Sequence, residues 1–154
     1  MKDNTIKLIR EGHRRGEQRL EALLSMGLAA DARAMSYGSV MIGVAAILGG
    51  LASNTENVWP VIVSAVILVA AAGLAIFSAQ PVDFYAPGGL YSNLEDDISE
   101  DSDFYEVVHI LGQQGEKYCL ENQRLLARNG KLMNLSLLLS VFAPIAGLLT
   151  HFLF

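Results

Sequence analysis

Three apolar segments, residues 34–52, 58–79 and 132–154, constrain this chain more than any other feature, and none of them contains Lys, Arg, Asp or Glu. A helix rises about 1.5 Å per residue and a bilayer's hydrocarbon core is roughly 30 Å thick, so each segment is long enough to cross as a helix. A buried helix of a soluble bundle needs neither this length nor this complete lack of charge. The expected fold is therefore all-α: an integral membrane protein with three transmembrane helices and a cytoplasmic stalk of two amphipathic helices.

With 52% hydrophobic residues in a chain of 154, one membrane bundle and one modest polar part account for the length. The charged start of the chain has no apolar core followed by a small-residue cleavage site, so it is not expected to act as a secretory signal. The lone Cys119 excludes an intrachain disulfide and supplies no paired metal-ligand spacing.

Basic residues set the expected orientation. Lys2, Lys7, Arg10, Arg14, Arg15, Arg19 and Arg33 precede the first span, the link 53–57 has none, and Lys117, Arg124, Arg128 and Lys131 precede the third. The N-terminus and residues 80–131 are then cytoplasmic, and the C-terminus is outside. Trp59 and Pro60 suit an interfacial anchor and a first-turn proline at the start of the second span.

Four parts follow from this pattern: an amphipathic helix over 1–33, a transmembrane hairpin over 34–79, an acidic loop over 80–103, and a long helix over 104–154 that continues into the third span. Ile6, Ile9, Leu20, Leu23, Leu24 and Leu28 recur mostly at three- and four-residue steps in the first. Pro81, Pro87, Gly88 and Gly89 break the chain after the second span, and Asp103 with Glu106 forms a capping signal for the last helix. Glu95, Asp96, Asp97, Glu100, Asp101 and Asp103 concentrate the acidic charge, giving much of the net −5. A solvated loop or a site for a basic partner accounts for them, and the charge argues against nucleic acid.

Small and weakly polar residues form stripes within the spans. Ser36, Ser39, Gly43, Ala46 and Gly50 share one face of the first, while Ser136, Ser140, Ala143, Gly147 and His151 share one of the third. Such faces let helix backbones approach closely, either inside one bundle or between protomers. Asp31 and Arg33, at the mouth of the first span, suit boundary anchoring or a gate. His13, His109 and His151 are scattered, the acidic cluster lacks the spacing of a calcium hand, and Gly88-Gly89 is a turn rather than a phosphate loop. No catalytic constellation, cofactor motif or metal site is expected, and the chain does not read as an enzyme.

The run Ala30-Asp31-Ala32-Arg33-Ala34-Met35-Ser36 resembles the Asp-x-Lys-Ala-x-x run that enters the first span of the Pycsar-type transmembrane effector domain. The layout is also similar: a helix, two closely linked spans, an acidic cytoplasmic segment, and a helix continuing into a third span. The general character of residues 110–131 matches too, and the SLATT-like membrane effectors of bacterial nucleotide signalling share the amphipathic helix and paired spans. The resemblance implies antiphage defence at the bacterial inner membrane, by an effector that oligomerises in the bilayer and permeabilises it when triggered. The stretch Phe84-Tyr85-Ala86-Pro87-Gly88-Gly89-Leu90 departs from the family's pattern, and no nucleotide-binding domain is expected within these residues. That departure leaves the expected trigger open between a nucleotide signal, a cytoplasmic partner protein and a phage component. Two other classes fit the topology: a membrane-anchored scaffold or regulatory subunit binding a soluble partner, and a small oligomeric channel or transporter component.

Overall fold

The computed structural model describes residues 2–80, 84–88 and 103–153. These residues form three helices and no strand: α1 (Lys2–Ala52), α2 (Trp59–Ser78) and α3 (Phe104–Leu153). All three are long and apolar enough to cross a membrane. The expected all-α class and three apolar helices are thus present.

Local chemistry sets the helix ends. After α1, the Asn54 N–H donates to Leu51 O at 3.0 Å, closing a turn. The α2 helix opens without a side-chain cap, but Pro60 sits in its first turn, where a missing N–H leaves no helical bond unmade. Asp103 starts α3: its carboxylate accepts the Tyr105 N–H at 3.0 Å and its carbonyl accepts those of Glu106 and Val107. This realises the expected cap. Pro144 lies inside α3, which continues through it to Leu153.

The contacts divide the chain into two units. One comprises Met1–Gly27 with Val82–Leu126, the other Leu28–Pro81 with Ala127–Phe154. In the first, α1 and α3 run side by side around Leu20, Leu23 and Cys119, with Tyr118 and Leu126 packed against them.

The second unit contains the apolar lengths of all three helices. Its interior is made of small side chains: Ala34, Ala45, Ala71, Ala72, Ala75, Ala143, Ser64, Ser78 and Ser136 are buried, with Leu68 as the one large one. The large apolar groups point the other way, and Val40, Ile47, Val66, Leu138, Val141 and Leu148 are each more than half exposed. This inverts the distribution expected of a water-soluble core. It is what helix association in lipid requires, where backbones gain by close contact and large side chains face the acyl chains.

Candidate functional site

In the apolar unit, the contact face of α1 carries Ala34, Gly38, Met41, Ala45 and Leu48. The stripe singled out in the sequence is displaced from it by one or two residues at each step, which puts the two faces roughly 160° apart around the helix. Ser36, Ser39, Gly43, Ala46 and Gly50 accordingly all lie exposed on the opposite side. A Cβ at Gly43 or Gly50 would meet no atom within 4 Å. At Gly38, by contrast, it would fall 2.9 Å from Ile76 Cγ1 and 3.4 Å from the Ala72 carbonyl oxygen, so glycine is what lets α1 approach α2. Gly38 was missed because its neighbours Tyr37 and Met41 hide the spacing of small residues on that face.

The third-span stripe faces inward for most of its length. Ser136, Ala143 and Gly147 are buried, Ser140 is half-buried and His151 is exposed. Each buried hydroxyl has a partner: Ser136 Oγ donates to Ala71 O at 2.6 Å, and Ser64 Oγ lies 2.9 Å from Pro60 O and 3.1 Å from Ala143 O. The Tyr37 hydroxyl donates to Ser140 Oγ. A Cβ at Gly147 would collide with Ser64 Oγ and stand 2.9 Å from Pro60 O. These contacts satisfy polar groups where water is absent. Ahead of the apolar segment, Asp31 is half-buried and Arg33 exposed. Burial pushes the Asp31 carboxyl above its ordinary range.

In the other unit, residues 84–88 are latched onto both helices. The Asn122 side chain is fully buried and binds Tyr85 twice: the Tyr85 N–H donates to Oδ1 at 3.1 Å, and Nδ2 donates to the Tyr85 carbonyl at 2.9 Å. Tyr85 stacks on Tyr118 with ring centroids 4.1 Å apart and planes 9° from parallel. Phe84 fills the space that a Cβ at Gly27 would need, 3.0 Å from its Cζ. Gly88, at φ 86°, presents its N–H to Glu17 Oε2 at 2.8 Å, a backbone conformation that favours glycine. The sequence marked this stretch as a turn, and nothing local pairs Asn122 with it.

Between α1 and α3 of the same unit lies a cavity of about 420 Å³ that opens to solvent, with Gly12, Arg15, Arg19, His109, Gln113 and Glu116 exposed along it. Gly12, Gly16 and Gly112 line it, together with His13 and His109, which stand far apart in sequence. Arg15 and Arg19 are also on its wall. Arg15 Nε donates to Glu11 at 2.8 Å, whereas Arg19 has no hydrogen-bond or ion-pair partner among the described residues. Two arginines on Glu11 hold its carboxyl down to about 2, by hydrogen bonds from Arg14 and then Arg15. Cys119 lies at one end of the cavity, its thiol pushed up by burial. No group of three or more metal-ligating side chains occurs among the described residues. Of the acidic cluster only Asp103 is described, as the α3 cap; Glu95, Asp96, Asp97, Glu100 and Asp101 lie outside the described residues.

No family model matches this chain, and no curated protein or solved structure is similar to it.

Proposed function

We propose that this chain is a multi-pass protein of the bacterial inner membrane, with a cytoplasmic N-terminus and an outer C-terminus, that assembles in the bilayer and permeabilises it when triggered. The reading combines the resemblance to the Pycsar-type and SLATT-like effectors with one observation. The face of α1 bearing Ser36, Ser39, Gly43, Ala46 and Gly50 is left open by the protomer. All five of these residues are glycine, alanine or serine, small enough for a second backbone to fit closely, and the protomer's own packing uses the opposite face. Three apolar helices enclose no polar path of their own, so conduction or leakage through this protein needs several copies. The basic residues of both long helices support the orientation, and the helix pair of the Leu20 unit would form the cytoplasmic stalk.

The test is dye entry and membrane potential in bacteria expressing the chain, with and without phage challenge. Depolarisation on infection that disappears in Gly43→Leu supports the reading. That substitution adds a side chain where no atom of the protomer stands within 4 Å, so its effect reports on assembly rather than folding. An intact membrane in every condition, with the protein present, rejects it.

A membrane-anchored scaffold or regulatory subunit is the second reading, favoured by the latch of residues 84–88. The paired hydrogen bonds from Asn122 and the Tyr85–Tyr118 stack give the polar unit a defined surface, and residues 84–88 precede the acidic segment in sequence. Under this reading, neutralising Glu95, Asp96, Asp97, Glu100 and Asp101 abolishes recovery of a soluble partner in pull-downs and leaves membrane integrity unaffected.

A further inference from the structure

Three helix-interior glycines face one open space, and packing does not account for them. Methyl groups at Gly12, Gly16 or Gly112 would meet no atom within 4 Å, unlike those at Gly38 and Gly147, where a neighbouring helix stands in the way. Glycine inside a helix weakens it relative to alanine. Placed on facing walls without a contact that demands them, these glycines leave a solvent-open cleft of about 420 Å³ between the two helices. That volume falls within the roughly 300–1,000 Å³ typical of small-molecule sites.

The cavity has ends and a chemical character. Arg10 lies over the Phe104 ring, 5.4 Å from its centroid, near the start of both helices, and the Leu20–Cys119 cluster packs beyond the other end. Among the described residues, Glu116 is the sole carboxylate on the lining, beside the guanidinium groups of Arg15 and Arg19. Arg15 is engaged by Glu11, whereas Arg19 is solvent-exposed and makes no hydrogen bond or ion pair among the described residues. An unpaired guanidinium offers a planar fork of donors that matches phosphate oxygens. Gln113 and the two histidines supply further polar groups, while Ile9 and Val108 offer apolar wall.

We propose that this glycine-lined cavity between α1 and α3 binds a small organic phosphate, with Arg19 as its main anchor. Inorganic phosphate alone is too small to fill the space, so the phosphate carries an organic body that rests on Ile9, Val108 and the glycine backbones. The phosphate belongs either to a soluble metabolite or to a lipid headgroup, and both present the same group to Arg19. The site stands apart from the open face of α1 and does not depend on the permeabilising activity proposed above.

The experiment is calorimetric titration of the purified full chain in detergent with glucose 6-phosphate and, separately, with a short-chain phosphatidic acid below its micelle concentration. Saturable binding of the sugar phosphate assigns a soluble ligand, and selective binding of the phosphatidic acid assigns a headgroup. In either case Arg19→Gln weakens affinity by about tenfold or more, as expected for loss of a charge-assisted hydrogen bond. Gly112→Leu, which fills the space, removes binding. Gly112→Ala should raise the thermal midpoint, because its methyl group meets nothing. Binding by neither probe, binding that survives in both Arg19→Gln and Gly112→Leu, or a midpoint lowered by Gly112→Ala would each overturn the proposal. Because the readout is binding in detergent, its failure leaves the membrane reading standing.

Discussion

Ser136 donates its hydroxyl to the main-chain carbonyl of Ala71 across 2.6 Å, at a point where neither residue has any exposed surface. The carbonyl keeps a second lone pair beyond its helical bond, and the small side chains on both helices bring donor and acceptor together. Substituting Ser136→Ala removes only the hydroxyl and should cost about 0.6 kcal/mol, the typical worth of such a bond inside a membrane protein. Ser136→Leu should cost several times more by driving α2 from α3. Unfolding of the purified protein in mixed micelles measures both, and equal losses would show that the contact is not close-packed.

Gly38 and Gly43 make a paired test of the two faces of α1. Gly38→Leu should destabilise the protomer, since even a Cβ stands 2.9 Å from Ile76 Cγ1 and 3.4 Å from the Ala72 carbonyl. Gly43→Leu should leave the protomer's thermal midpoint within a degree or so, as exposed substitutions usually do, and lower the oligomer mass in detergent. An unchanged mass would remove the open face from the assembly.

Asn122 closes the latch on Tyr85 with both ends of its amide. Asn122→Leu removes both of these hydrogen bonds to Tyr85 and should cost about 1–3 kcal/mol of local stability. Hydrogen exchange at the Tyr85 and Gly88 amides should quicken by more than tenfold while α2 amides are unaffected. Unaltered exchange at Tyr85 would mean that the ring stack on Tyr118 suffices.

Glu11 carries the clearest pH dependence. Its carboxyl is held down to about 2 in the folded chain from an ordinary value of 4.5, so the contribution of its arginine contacts is present above 4.5 and is lost as pH falls toward 2. The pair is solvent-exposed, so the effect on overall stability is small and salt weakens it. A carboxyl carbon titration by NMR should give a Glu11 midpoint well below the ordinary 4.5, and added salt should move it back toward that value.

Cys119 should resist maleimide in the native protein and react readily once unfolded, because burial both covers the thiol and keeps it protonated. Rapid labelling under native conditions would show that the Leu20 cluster opens.

Much of this architecture is legible in the sequence because hydrophobic length is a local property. The runs 58–79 and 132–154 announce helices by composition alone, and Asp103 and Pro60 mark helix starts through the atoms they add or lack. The spacing of Ser136, Ala143 and Gly147 also marks a face that the fold does bury. On α1 the same spacing rule picks out Ser36, Ser39, Gly43, Ala46 and Gly50, although α2 packs against Gly38 and Ala45.

The sequence by itself determined that this chain is helical and which lengths of it are apolar enough for a bilayer, since both depend on neighbours along the chain. Only the tertiary structure decided which side of α1 is occupied, that Asn122 seizes Tyr85, and that Gly12, Gly16 and Gly112 face one space. A helix carries its small residues on more than one face, and periodicity places them around the axis without naming the face that a partner covers. That choice is made by the fit of side chains from segments far apart in sequence, as with Ile76 on Gly38 and Ser64 on Gly147.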